Sequence, residues 1–180
     1  ENPTQIVYEE YESLLFQTID SLNEYDRSSL FYNGLNYAVR QFNRGNSNYG
    51  KIAFHWYQFG LEKGLFFQKN RLSASTFGNI VIFACRQNAF DWVNNFISDY
   101  NQYLTEEIRI PESVYSQAVM NFYKKEYELV TQNISNYPFT DQYNLRARNL
   151  LIRSYFELFL QDNSYFFILT NTLVAFENYL

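Results

Sequence analysis

Ser73 to Tyr100 reads SASTFGNIVIFACRQNAFDWVNNFISDY, and this stretch decides the fold class. Phe77, Ile80, Val81 and Ala84 recur at spacings of three and four, the period of one helix face, and Phe90, Val93, Ile97 and Tyr100 do the same. Ser73 or Ser75 offers an N-cap to the first run. A polar break at Gln87-Asn88 separates the two. The stretch therefore predicts helix, tight turn, helix.

The same plan extends in both directions. Upstream, Ile6, Val7, Tyr11, Leu14, Leu15, Ile19 and Leu22 follow Pro3 and a possible N-cap at Thr4, predicting a first helix over about residues 4 to 22. Asp26 caps a second, which closes at the turn cluster Asn43-Arg44-Gly45-Asn46, and a third runs from Tyr49 to about Leu65. Downstream, Thr105 to Pro111 predicts the longest loop, and the stripe resumes after Ser113 through Phe122. A seventh helix runs from Tyr127 to a stop at Pro138, an eighth starts near Asp141, and a ninth starts at Tyr165 and carries the pattern to the last residue. With Glu1 at one end and an unfinished helix at the other, both ends read as cuts from a longer chain. Residues 1–25 form a leading helix and 26–180 a single helical domain on this reading.

An aromatic residue opens the second helix of each pair: Tyr49, Phe90, Tyr127 and Tyr165, separated by 41, 37 and 38 residues. A branched residue follows three later in every copy: Ile52, Val93, Val130 and Ile168. A period of this length built from helix pairs is the mark of stacked repeats. The expected fold is thus all-α, an α-solenoid or αα-superhelix of about four helix-turn-helix repeats after an N-terminal helix.

Composition agrees and narrows the chemistry. The 180 residues hold 17 Tyr and 18 Phe against 6 Gly and 3 Pro, too few turn formers for hairpin-rich β folds or glycine-rich phosphate loops. All six glycines lie within the first 78 residues, so later helix ends must be closed by Asn, Pro, Ser and Asp. Net charge is −5, the wrong sign for a duplex binder. The chain has one Cys and one His, Cys85 and His55, which leaves no disulfide and no zinc cage. No apolar run approaches the ~18 residues that span a bilayer. No basic-then-apolar leader is visible either, so a cytoplasmic home is expected.

Candidate catalytic groups are few. No acid lies three or four residues from His55 to orient it as a base, and Cys85 sits among Ala84, Ile80 and Val81 as a small hydrophobe would. Glu9 and Glu12 share a helix face as a solvated pair. Arg146 and Arg153, seven apart with Tyr143 nearby, could follow a phosphate backbone but read better as ordinary surface arginines.

The segments Phe77–Tyr100 and Ala118–Pro138 resemble tetratricopeptide-type helical repeats over roughly residues 27 to 180, in the large-then-small positions of the first helix and the aromatic opening of the second. The resemblance implies a curved stack whose first helices line a concave face that holds a peptide or partner protein. The family's carboxylate clamp needs cations on a third first helix, and Ser113 and Gln117 stand there instead. The Phe77–Asn95 stripe also resembles a pentatricopeptide unit, which implies single-stranded RNA, against the negative charge.

Asparagine disfavours helix interiors, so its recurrence on first helices suggests a purpose such as hydrogen bonding to an extended backbone. The expected binding residues are Asn36, Arg40, Asn79, Arg86, Asn121, Asn149 and Arg153, on one groove-facing side. The expected function is a non-catalytic scaffold for a protein or peptide partner, without cofactor, metal or membrane. The alternatives are an accessory part of an enzyme whose site lies elsewhere or uses only carboxylates, and a weak single-stranded RNA binder.

Overall fold

The computed structural model describes residues 3–179, with the side chains of 6–140 and 143–179. The chain is all-helical and divides into two compact units, residues 1–67 and 68–180.

The first unit holds α1 (Pro3–Thr18), a 3-10 turn over Ile19–Ser21, α2 (Glu24–Asn43) and α3 (Tyr49–Glu62). The helix expected over 4–22 is therefore α1 plus its 3-10 extension, and the expected cap, the Thr4 side chain, lies outside the described side chains. α2 begins before Asp26: Asn23 is the N-cap, its Oδ1 accepting from the Asp26 amide at 3.0 Å. An Asn amide oxygen reaches the N3 amide as well as a carboxylate does, and Asp26 then sits in the first turn, where the helix dipole favours it. At the other end Gly45 takes φ +96, with its amide on Phe42 O and the Asn46 amide on Gln41 O, a Schellman closure. The core is aromatic: Tyr8 and Leu15 of α1 and Phe31, Leu35 and Ala38 of α2 close over Ala53 and Trp56 of α3. Gly34 makes room for that packing, because a Cβ there would overlap the Trp56 ring.

The second unit opens with a tight turn in which Lys69 and Asn70 take positive φ and Gln68 and Arg71 exchange both backbone hydrogen bonds at 2.9 Å. Then come α4 (Ala74–Arg86), α5 (Phe90–Tyr100), a 3-10 turn Asn101–Tyr103, α6 (Glu106–Tyr123) and α7 (Tyr127–Asn136). α8 (Asp141–Gln161), a 3-10 turn Asn163–Tyr165 and α9 (Phe166–Glu177) complete it. Ser73, rather than Ser75, caps α4, its Oγ accepting from the Thr76 amide at 3.1 Å. The loop expected over Thr105–Pro111 is helix instead, for α6 starts at Glu106 and carries Pro111 inside it. Two acids in the first turn suit the helix dipole, and a proline six residues in forfeits a single backbone bond, which burial farther along α6 offsets.

α4 packs on α5 and α6, α5 on α6, α6 on α7 and α8, α7 on α8, and α8 on α9. Two of the turns share one geometry. Asn88 and Lys125, 37 residues apart, take positive φ, and each is followed two residues later by the aromatic that opens the next helix, Phe90 and Tyr127. The Ala89 amide bonds Ala84 O and the Glu126 amide bonds Asn121 O, closing α4 and α6 alike. Lys125 thus closes a helix where Asn, Pro, Ser or Asp was expected: without glycine, the backbone takes the left-handed conformation at a residue whose side chain stays in water. Val93 and Val130, three residues into α5 and α7, are both fully buried.

Candidate functional site

The expected binding residues fall in both units. Asn36 and Arg40 are exposed on α2, and Arg40 Nε donates back to Asn36 O at 3.3 Å. Asn79 and Arg86 are exposed seven apart on α4, with Arg86 Nε donating to the Tyr123 hydroxyl at 3.0 Å. Asn149 and Arg153 are exposed four apart on α8, and the Arg153 guanidinium lies 4.5 Å from the Phe122 ring centre. Asn121 is different. It is buried, and its Oδ1 accepts from Gln117 Nε2 at 3.4 Å, so little of it is open to a partner. α6 has α4, α5, α7 and α8 around it, which leaves little of its circumference open. Around the end of α6, then, the structure gathers Arg86 and Arg153 onto neighbouring aromatics, Tyr123 and Phe122.

The two arginines singled out at a seven-residue spacing prove to be one half of a ladder. Arg146 lies 4.3 Å from the Tyr115 ring centre, as Arg153 does over Phe122, and Tyr115 and Phe122 are themselves seven apart on α6. Guanidinium on an aromatic face gains cation–π attraction while keeping its outer edge in water. Below Arg146 sits a residue the sequence did not single out, Glu112, fully buried in α6. Tyr143 donates its hydroxyl to Glu112 Oε2 at 2.8 Å, Arg146 Nη1 donates to the same oxygen at 3.2 Å, and Ser116 Oγ donates to Oε1 at 3.3 Å. Gly78 of α4 adjoins the pair: a Cβ there would stand 3.1 Å from Arg146 Nη2 and 3.3 Å from Glu112 Oε1. Burial pushes the Glu112 carboxyl above the ordinary glutamate range, with Arg146 and then Tyr143 opposing it. Burial also raises the Tyr143 and Tyr115 hydroxyls, so both stay protonated and Tyr143 remains a donor to Glu112. Both carboxylate oxygens of Glu112 are partnered within the protein, which makes the cluster a tie between α6 and α8, with α4 packed close at Gly78, rather than an open site.

In the first unit His55 has a partner after all. Its Nδ1 is 3.1 Å from Glu12 Oε1, across from α3 to α1 and 43 residues away in sequence. Spacings of three and four along α3 do not reach it. Burial raises the Glu12 carboxyl and His55 pulls it back, while the Phe16 ring meets the imidazole edge-on at 5.2 Å. The pair pins α1 to α3.

In the same unit α1 and α2 form an open groove of about 360 Å³ lined by Val7, Tyr8, Tyr11, Leu30, Asn33, Gly34 and Tyr37. The α2 residues sit at i, i+3, i+4 and i+7 and so form one stripe. Tyr8 and Tyr11 donate their hydroxyls to Gly34 O at 2.9 Å and Leu30 O at 2.6 Å. Those bonds leave the rings facing the groove with their polar ends already satisfied. Asn33 is the polar group on the exposed edge, and Asn36 and Arg40 lie three and seven residues along the same side of α2.

Among the described residues no group of three or more His, Cys, Asp and Glu could hold a metal ion, and no helix is long and apolar enough to cross a membrane. Cys85 is buried and its thiol is pushed up to about 12 by burial, far from a thiolate nucleophile. Comparison with protein-family models, with curated proteins and with solved structures gave no match.

Proposed function

We propose that the chain is a non-catalytic protein-interaction module, built as an α-solenoid of tetratricopeptide-like helix pairs, that holds a peptide segment of a partner in the α1–α2 groove. The observation that carries the binding reading is the groove itself: aromatic walls whose hydroxyls are already bonded, with an amide at the rim. Such a surface takes an apolar or aromatic side chain as anchor and offers Asn33, Asn36 and Arg40 to the backbone around it. The solenoid reading is supported by the order of packing in the second unit, where each first helix meets the next and each second helix meets the following first. It is also supported by the closure repeated 37 residues apart at Asn88 and Lys125. Asn79 with Arg86, and Asn149 with Arg153, are the candidate contacts of the second unit.

The test is selection from a displayed peptide library, followed by titration of the winners. Selected peptides should share a large apolar anchor, and Val7→Asp, which places a charge in the groove from a residue mostly in water, should weaken them at least about tenfold. Arg40→Ala should weaken them a fewfold. Peptides that bind the Val7→Asp protein as tightly as the parent would remove the groove from the account.

A further inference from the structure

The α1–α2 groove suits a partner whose backbone is already hydrogen-bonded. Both walls are helices that use their own amides and carbonyls internally, and Gly34 O and Leu30 O each take a further bond from the Tyr8 and Tyr11 hydroxyls. The Asn33 amide and the Tyr37 hydroxyl are the polar groups left along the wall. An extended segment pressed against it brings a backbone amide or carbonyl with every residue, and each loses water with little to replace it. A helix brings none, because its backbone bonds are internal. Side-chain spacing agrees. On α1 the apolar wall continues past the groove as Val7, Tyr11 and Leu14, at i, i+4 and i+7, with Val7 65% and Leu14 64% exposed. On α2 one stripe runs Asp26, Leu30, Asn33, Tyr37, Arg40, in alternate steps of four and three. Its two ends carry opposite charge. Asp26 accepts from Asn23 Nδ2 at 2.6 Å and Arg40 Nε donates to Asn36 O at 3.3 Å, and neither has an ion-pair partner among the described residues.

We propose that the groove takes an amphipathic α-helix of the partner, lying parallel to α2 with its first turn at Asp26 and its last at Arg40. The proposal rests on the α1–α2 groove being the binding site. Asp26 and Arg40 lie 14 residues apart, so the stripe between them is about 21 Å long, the length of a helix of about four turns. A helix carries free amides and a positive dipole end at its start, and free carbonyls and a negative dipole end at its finish. Each charged end of the stripe therefore attracts the helix end laid on it, and in the reverse direction both contacts repel. Asn36, one turn before Arg40, offers its amide to the same last carbonyls. Tyr8 meets Gly34 and Tyr11 meets Leu30, so α1 runs against α2, and the bound helix runs antiparallel to α1.

The probe is an acetylated and amidated peptide of about four helical turns, alanine and glutamine with leucines in alternate steps of four and three. Its control has the same composition with the leucines at every second position, the period of a strand. Calorimetric titration should show the helical-spacing peptide binding at least about tenfold more tightly than the control, and Val7→Asp should remove that advantage. A nitroxide on the first residue of the bound peptide should broaden the amides around Asp26 and Leu30, and one on the last residue those around Asn36 and Arg40. If the control binds as tightly as the helical-spacing peptide and still weakens in the Val7→Asp protein, the groove stands as the site and the helix is overturned. If the helical-spacing peptide binds the Val7→Asp protein as tightly as the parent, the groove itself fails. Binding of neither peptide, or the reverse pattern of broadening, also overturns the proposal.

Discussion

Two small residues show how much single positions decide. Gly34 lies under Trp56 and Gly78 beside the Arg146–Glu112 pair, so both are helical glycines forced by close approach. They should respond differently to alanine. At Gly78 the atoms in the way are the ends of side chains, and the helix-propensity gain of about 1 kcal/mol offsets the crowding, leaving Gly78→Ala near neutral. At Gly34 the obstacle is a buried indole ring with no free direction. Gly34→Ala should destabilise by about 1–3 kcal/mol in urea unfolding. Glu112 sets a second test. Its carboxyl is raised in the folded chain, so between the ordinary glutamate value and that raised one the folded state holds the extra proton, and stability falls as pH rises. Glu112→Gln removes that slope, so the parent should lose ground to the Gln variant as pH climbs through this window. Glu112→Ala strands the buried Tyr143 hydroxyl and removes the partner of the half-exposed Arg146, and should cost about 1–3 kcal/mol. Nothing in the sequence around Glu112 announces this role, since its partners Tyr143 and Arg146 arrive from 31 and 34 residues away.

Helices were the most legible level, and the reasons are local. The three-and-four spacing, the Ser73 cap and the aromatic openers put the starts of α3, α5 and α7 at Tyr49, Phe90 and Tyr127. Where local signals competed, the outcome was less visible. Pro111 reads as a helix breaker, yet α6 runs through it because the burial of Ala118, Val119 and Met120 beyond it outweighs one missing amide bond. Asn23 and Asp26 both qualify as caps, and the choice between them rests on three-dimensional geometry. Closure of α6 at Lys125 was hidden for a similar reason: no residue preference points to lysine in the left-handed region. A β-carbon there costs about 1–2 kcal/mol. Lys125→Gly should therefore stabilise the second unit, by up to about 1 kcal/mol once the looser unfolded chain is allowed for, and thermal denaturation will read it. Unchanged or lowered stability would mean that the Lys125 side chain contributes more than its backbone strain takes away.

At the scale of the molecule, composition foretold an all-helical chain whose aromatics do the packing, and rings do fill the first unit, from Tyr8 and Phe31 to Trp56. The candidate site was legible in part. Asn36 and Arg40 were expected from their place on a first helix, but the groove along α2 needs α1 laid against it, and the order of Val7, Tyr8 and Tyr11 does not say which helix they meet. His55 illustrates the same limit, since its carboxylate comes from another helix. Asn121 illustrates the opposite one: a polar residue on a first helix that tertiary packing encloses. The central claim, that an apolar anchor of a partner peptide enters the α1–α2 groove, is tested most directly by amide chemical-shift mapping with a selected peptide. Shifts should concentrate on residues 7–11 and 30–40 and vanish in the Val7→Asp protein. Shifts confined to the second unit, or spread without reference to the groove, would contradict it.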